Sequence, residues 1–310
     1  MSLNILFHSA PHRWADYRTV LPDALAAAGV DARLSTDLPP EEADYIVYAP
    51  AEDRLDLSRC GRLKAVLSLW AGIEGIADDV PREIPLTRMV DEGLTAGMVE
   101  YVTGHVLRHH LGMDAHIVNP DHEWRPVPPP LAADRKVTIL GLGALGTACG
   151  RALAGLGFAV SGWSRSPKEI DGIRCHSADD GLATALDGAE IVVLLLPLTA
   201  DTECVLDGPA LGRLADGAVV INPGRGGLVD DDALLAALET GQVGHATLDT
   251  FRVEPLPQDH PYWSHPRVTV TPHVASETRP ASASRVIAEN VRRAEAGEPL
   301  LHVVDRSAGY

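Results

Sequence analysis

Positive charge is what this sequence has least of. Its 310 residues carry 26 Lys and Arg against 43 Asp and Glu, a formal charge of −17. Nucleic acid and anionic membrane both demand a basic surface, so neither is an expected partner. Any anionic ligand must be caught by a local cationic site working against the overall field. Cysteine is also scarce: Cys60, Cys149, Cys175 and Cys204 form no CxxC pair and lie in apolar surroundings. Reduced, buried thiols in a cytoplasmic protein are expected. No basic stretch precedes an apolar one near Met1, so no signal peptide is read. The longest apolar run, Ile191 to Pro197, suits a buried strand and is too short for a membrane span. There is no solenoid-type repeat and no low-complexity segment. GxSxG is absent, which removes the nucleophile elbow of serine hydrolases. HExxH is absent too. His105 and His109 have metal-compatible spacing on a predicted helix, but no third ligand follows in a known pattern, so no metal is expected.

What is present is an alternation of short apolar runs and helical patterns, at 45% apolar and 22% charged residues. The first series predicts strands at Asn4–His8, Asp44–Tyr48, Lys64–Ser68 and Ile84–Arg88, with a helix from Trp14 to Ala28 ended by Gly29. A long helix is predicted over Leu94–Met113, a crossover between domains. A proline-rich loop, Asn119–Pro130, follows and contains Trp124. It reads as an arm, lying either on a partner subunit or on its own chain. A second series predicts strands at Val137–Leu140, Phe158–Ser161, Ile191–Leu196, Ala218–Ile221, His245–Leu248 and Val268–Val270, and a final helix at Thr278–Ala296. Such βα alternation with continuously apolar strands predicts parallel sheets, hence an α/β fold.

Gly141-Leu142-Gly143-Ala144-Leu145-Gly146 is a GxGxxG between a predicted strand and a predicted helix. Glycines there permit the tight turn and close backbone approach to a pyrophosphate, and the helix N-terminus offers N–H groups to it. The next strand ends in Trp163-Ser164-Arg165-Ser166, with Lys168 beyond. An acid that would bind a ribose 2′-OH is missing, and Arg165 with Ser164, Ser166 and Lys168 suits a 2′-phosphate. NADPH is therefore the expected cofactor, with NADH accepted less well. Leu196, Pro197 and Thr202 line the expected dinucleotide path.

Three further segments each follow or end a predicted strand: Asn222 to Gly227 with Arg225, Leu248 to Pro257 with Asp249 and Glu254, and Thr271 to Ala275 with His273. In a doubly wound sheet such ends share one crevice. Carbonyl reduction beside a carboxylate leaves negative charge on oxygen. His273 can donate the proton, Glu254 can fix its tautomer and favour the imidazolium, and Arg225 can grip carboxylate and keto oxygen with its planar fork. Asp249 either hydrogen-bonds the nicotinamide or its ribose, or caps the following turn.

Taken together, GxGxxG at Gly141, LLPLTxxT at Leu195, GRGG at Gly224, LDTFxxEPLP at Leu248 and HPxVxxTPHxA at His265 resemble the D-isomer-specific 2-hydroxyacid dehydrogenase family over nearly the whole chain. The Trp-Ser-Arg loop at Trp163 and the ending Val304 to Tyr310 resemble its members that reduce glyoxylate and hydroxypyruvate. The resemblance implies two doubly wound parallel-sheet domains, a Rossmann-type NAD(P)-binding domain (99–279) inserted in a flavodoxin-like substrate domain (1–98 and 280–310). It also implies catalysis by Arg225, Glu254 and His273, contacts to the dinucleotide from Pro223, Gly224, Asp249, His273 and Ala275, and a homodimer. A small 2-keto acid is the implied substrate. It would lie near Tyr48, the loop Trp70-Ala71-Gly72 that matches a Gly-Ala-Gly segment of the family, Met98 and Glu100. Another 2-hydroxy acid, formate or phosphite remains open on the same fold, as does a dinucleotide-sensing corepressor without turnover.

Overall fold

The computed structural model describes residues 2–51 and 55–306, so Ser307–Tyr310 of the C-terminal signature lie outside the described residues. The chain forms two compact units, one of Met1–Leu94 with Glu277–Tyr310 and the other of Thr95–Ser276. The sequence expectation set the divisions at 98/99 and 279/280.

The first unit holds β1 (Leu3–His8), α1 (Pro11–Tyr17), α2 (Val20–Ala27), β2 (Ala32–Ser35), β3 (Tyr45–Tyr48), β4 (Ala65–Ser68) and β5 (Leu86–Thr87). Its sheet order is β2-β1-β3-β4-β5, all parallel, the flavodoxin-like order. Alternate side chains feed two cores. Ile5, Phe7, Tyr45, Val47 and Leu67 face one, and Leu6, Ile46, Tyr48 and Val66 the other.

A 19-residue helix, α3 (Glu92–His110), leads to the second unit. Asp91 starts it by accepting the N–H groups of Gly93 and Leu94 at 3.0 and 3.3 Å. The second unit then has α4 (Asp114–Ile117), β6 (Lys136–Leu140), α5 (Ala144–Gly155), β7 (Ala159–Ser164), β8 (Arg174–Ser177), α6 (Ala178–Leu186), β9 (Ile191–Leu194), α7 (Gly208–Leu211), β10 (Ala218–Asn222), α8 (Asp231–Thr240), β11 (Val243–Leu248) and β12 (Val268–Val270). Its order, β8-β7-β6-β9-β10-β11-β12, is parallel throughout and reverses direction between β6 and β9. That is the Rossmann arrangement with one extra strand. The chain ends with α9 (Pro280–Glu295), whose Ala283, Ile287, Ala288 and Val291 complete the first unit's core.

Several expectations need correction. The single helix read at Trp14–Ala28 is two helices, because Pro22 has no N–H for the carbonyl of Arg18 and its ring crowds that carbonyl. Strands β2 and β8 were not expected. Both are sheet edges with little buried side chain, so neither carries an apolar run. The cysteines are free, but only Cys60 and Cys149 are buried; Cys175 and Cys204 are half-buried. Among the described residues no helix is long and apolar enough to cross a membrane. The arm does not lie on its own chain: Trp124 is 92% exposed, and Ile117, Val118, Val127 and Leu131 are exposed with it.

Candidate active site

Because the second sheet is parallel, all its strands end at one edge, and the segments singled out in the sequence follow those ends. Residues Gly141–Gly146 connect β6 to α5. The turn is tight: a Cβ on Gly146 would fall 1.8 Å from the Gly141 carbonyl oxygen, so no other residue fits. Gly143 faces open space, and no side chain caps α5 there. The first-turn N–H groups are thus presented to an anion. After β7, Arg165, Ser166 and Lys168 are exposed, and no carboxylate occupies that strand end.

The centre of the arrangement is His273. Its Nδ1 lies 2.7 Å from Glu254 Oε2. Glu254 Oε1 accepts the Phe251 N–H at 2.9 Å, which marks the carboxylate as an acceptor and Nδ1–H as the donor. Nε2 is then the nitrogen left for chemistry, on a side chain that is 51% exposed. His273 has a left-handed backbone, φ +53°, and its N–H donates to the Asp249 carbonyl at 2.8 Å. Asp249 itself has no solvent exposure. Its carboxylate accepts Thr271 Oγ1–H at 2.6 Å and the Val274 and Ala275 N–H groups at 2.9 and 3.0 Å. Of the two readings of Asp249, the structure supports the turn cap.

Arg225 stands in a separate loop that the fold joins to this one. Asn222 holds the loop from within, accepting the Gly224 N–H at 3.1 Å and donating to the Arg225 carbonyl at 2.9 Å. The backbone at Gly226 touches the loop that carries Glu254, since a Cβ there would meet the Phe251 carbonyl carbon at 2.0 Å. Arg252 ties the same two loops together. Its Nη2 donates to the carbonyls of Gly227 and Val229 at 3.3 and 3.0 Å, and its Nη1 meets Glu203 at 3.2 Å. Neither Asn222 nor Arg252 was singled out in the sequence.

Other expected contact residues are committed to the fold. Trp163 is nearly buried and its indole N–H donates to the Ala178 carbonyl at 2.8 Å. Ser164 is buried and donates to the Ser166 carbonyl. The Thr202 hydroxyl locks its own loop, accepting from Thr199 N–H and donating to the Pro197 carbonyl. Leu196, Pro223, Gly224 and Ala275 are buried, while Pro197 is half-buried. Met98, expected near the substrate, is a core residue of the second unit, and Glu100 is exposed. In the first unit Tyr48 is buried with its ring stacked on His8, 5.6 Å between centroids. Trp70, Ala71 and Gly72 form a half-buried loop after β4, in which the Trp70 N–H is taken by Ser68 Oγ at 3.0 Å.

Residues 104–275 match the family model described as D-isomer specific 2-hydroxyacid dehydrogenase, NAD binding domain. The chain belongs to that family. It is an oxidoreductase of the 2-hydroxyacid dehydrogenase class. It is 39% identical to a glyoxylate/hydroxypyruvate reductase A of Serratia proteamaculans over 99% of this chain and all of that one. Among solved structures, the D-isomer specific 2-hydroxyacid dehydrogenase of Xanthobacter autotrophicus in complex with NADPH and MES superposes with a TM-score of 0.92 at 39% identity, covering both chains completely. The NADPH-dependent glyoxylate/hydroxypyruvate reductase of Sinorhizobium meliloti, in complex with NADP and sulfate, gives 0.84 at 34% identity, again over both full chains.

For this dehydrogenase the Arg252 clamp yields a prediction. Arg252→Ala frees the Arg225 loop from the Glu254 loop, and displacements of about 1 Å cost up to ~100-fold in rate. Steady-state turnover should fall about 10- to 100-fold in kcat, with dinucleotide affinity retained.

Proposed function

We propose that this protein reduces small 2-keto acids, glyoxylate and hydroxypyruvate, to their 2-hydroxy acids with NADPH. The His273–Glu254 pair, with Glu254 on the loop that packs against that of Arg225, is the observation that carries the reading; the names of the relatives support the substrate class. Bound NADPH supplies the hydride. His273 Nε2 delivers a proton to the former carbonyl oxygen, and the Glu254 carboxylate stabilises the imidazolium and holds the ring. Arg225 binds the substrate carboxylate and keto oxygen and offsets the charge that develops. The first-turn amides of α5 hold the pyrophosphate, and Arg165 with Lys168 meets the 2′-phosphate.

A keto-acid panel measured with both nicotinamide cofactors tests this. NADPH absorbance should fall with glyoxylate or hydroxypyruvate. His273→Ala should reduce kcat about 10²- to 10⁴-fold, the usual worth of a general acid, while dinucleotide still binds. Turnover unchanged in that variant would dismiss the assignment. Arg165→Ala should raise KM for NADPH far more than for NADH, whereas equal effects would remove the 2′-phosphate role. We further propose a homodimer, supported by the exposed apolar side chains of Ile117, Val118, Trp124, Val127 and Leu131 in one segment. Light scattering on a chromatographed sample should return twice the chain mass, and Trp124→Ser should shift it toward the monomer.

A further inference from the structure

A parallel sheet covered on both faces is normally apolar beneath its helices. Under α3 the second unit departs from that rule. Thr247 of β11 pairs in register with Thr269 of β12, and His245 precedes Thr247 on the same face. Opposite them, Tyr101, His105 and His109 are spaced four apart on α3 and so form one stripe. Two bonds cross between the rows, Tyr101 Oη to Thr271 Oγ1 at 2.8 Å and His109 Nε2 to Thr247 Oγ1 at 2.9 Å, and within the sheet His245 Nε2 bonds Thr269 Oγ1 at 2.9 Å. His105 Nδ1 is buried among these groups without a hydrogen-bond partner. The His109 and His245 rings are 4.8 Å apart. Asp114, at the start of α4, closes the group: one donor atom from each of His109, Asp114 and His245 lies within 4.8 Å of the others.

We propose that His109, Asp114 and His245 form a binding site for a divalent transition-metal ion, of the class of zinc, cobalt or nickel. Two imidazoles and one carboxylate are the donor set such ions prefer, and three protein ligands leave the remaining positions to water. Thr247 and Thr269 supply the outer layer. Their hydroxyls bond Nε2 of the two rings at 2.9 Å and hold the ring orientations, as hydroxyl and carbonyl oxygens do around established metal sites. The neighbouring cation is Arg108, whose Nε donates to Asp114 Oδ1 at 2.7 Å; it orients the carboxylate and leaves Oδ2 for the ion. The partner that helical spacing alone did not provide for His109 comes from the strand and from the next helix.

Equilibrium dialysis of the full chain against zinc chloride and cobalt chloride tests the site. One ion per chain should bind, and cobalt should show visible bands of mixed nitrogen and oxygen ligation. His245→Gln and His109→Gln should each weaken binding at least about tenfold, and Asp114→Asn should weaken it too. His12→Gln, at an exposed histidine, should not. Zinc should raise the melting midpoint of the wild type and not that of His245→Gln. If the His109 variant misfolds, the His245 and Asp114 variants decide the matter. Wild-type dialysis without a bound ion, or well-folded His245→Gln and Asp114→Asn chains that bind as the wild type does, would overturn the proposal.

Discussion

One buried carboxylate organises the chemical end of the second unit. Asp249 sits where β11 ends, with no contact with water, and accepts three hydrogen bonds from the turn after β12. An unpaired charge in such a place would be costly, so the turn is held wherever Asp249 holds it. His273 lies inside that turn in a left-handed conformation that an unrestrained histidine seldom keeps. The imidazole is therefore aimed by a residue that does not touch it through its side chain. Glu254 then only has to meet Nδ1 from a neighbouring loop.

The same economy of parts governs Arg225. Its loop and the Glu254 loop approach so closely at Gly226 that a methyl group there would collide with backbone. Arg252 adds charge-assisted bonds between them. His273, Glu254 and Arg225 thus stand on loops that are braced pairwise, each following a different strand of one parallel sheet. Preorganisation of this kind lets electrostatic stabilisation act without rearrangement during the reaction.

The glycine loop was legible in the sequence because its demands are local: a strand, a turn too tight for Cβ and a helix start are all neighbours along the chain. That His273, Glu254 and Arg225 would stand on neighbouring loops was legible because all three segments follow strands, and a parallel sheet gathers its strand ends at one edge. The direction of a side chain was not legible. Trp163, Thr202 and Met98 lie in or beside the expected segments but point into the fold, a choice made by packing and by hydrogen bonds to distant backbone. Asn222 and Arg252 escaped notice for a related reason. Their partners are mostly carbonyl and amide groups, which have no signature in a sequence. The edge strands β2 and β8 carry too little buried surface to announce themselves, and Pro22 was outweighed by the helical periodicity around it.

The first unit closes its core with α9, whose Ala283, Ile287, Ala288 and Val291 pack beside residues from β1, β3 and β4. During synthesis those strands leave the ribosome long before α9 does. The entire second unit, a contiguous stretch with its own core, emerges in between and can fold first. Until α9 arrives, that apolar face of the first sheet is covered only by α1 and α2, through Tyr17, Leu21 and Leu25. The N-terminal strands are thus made first and their core is finished last, and for that interval the α9 side of that core stays open to association with other chains.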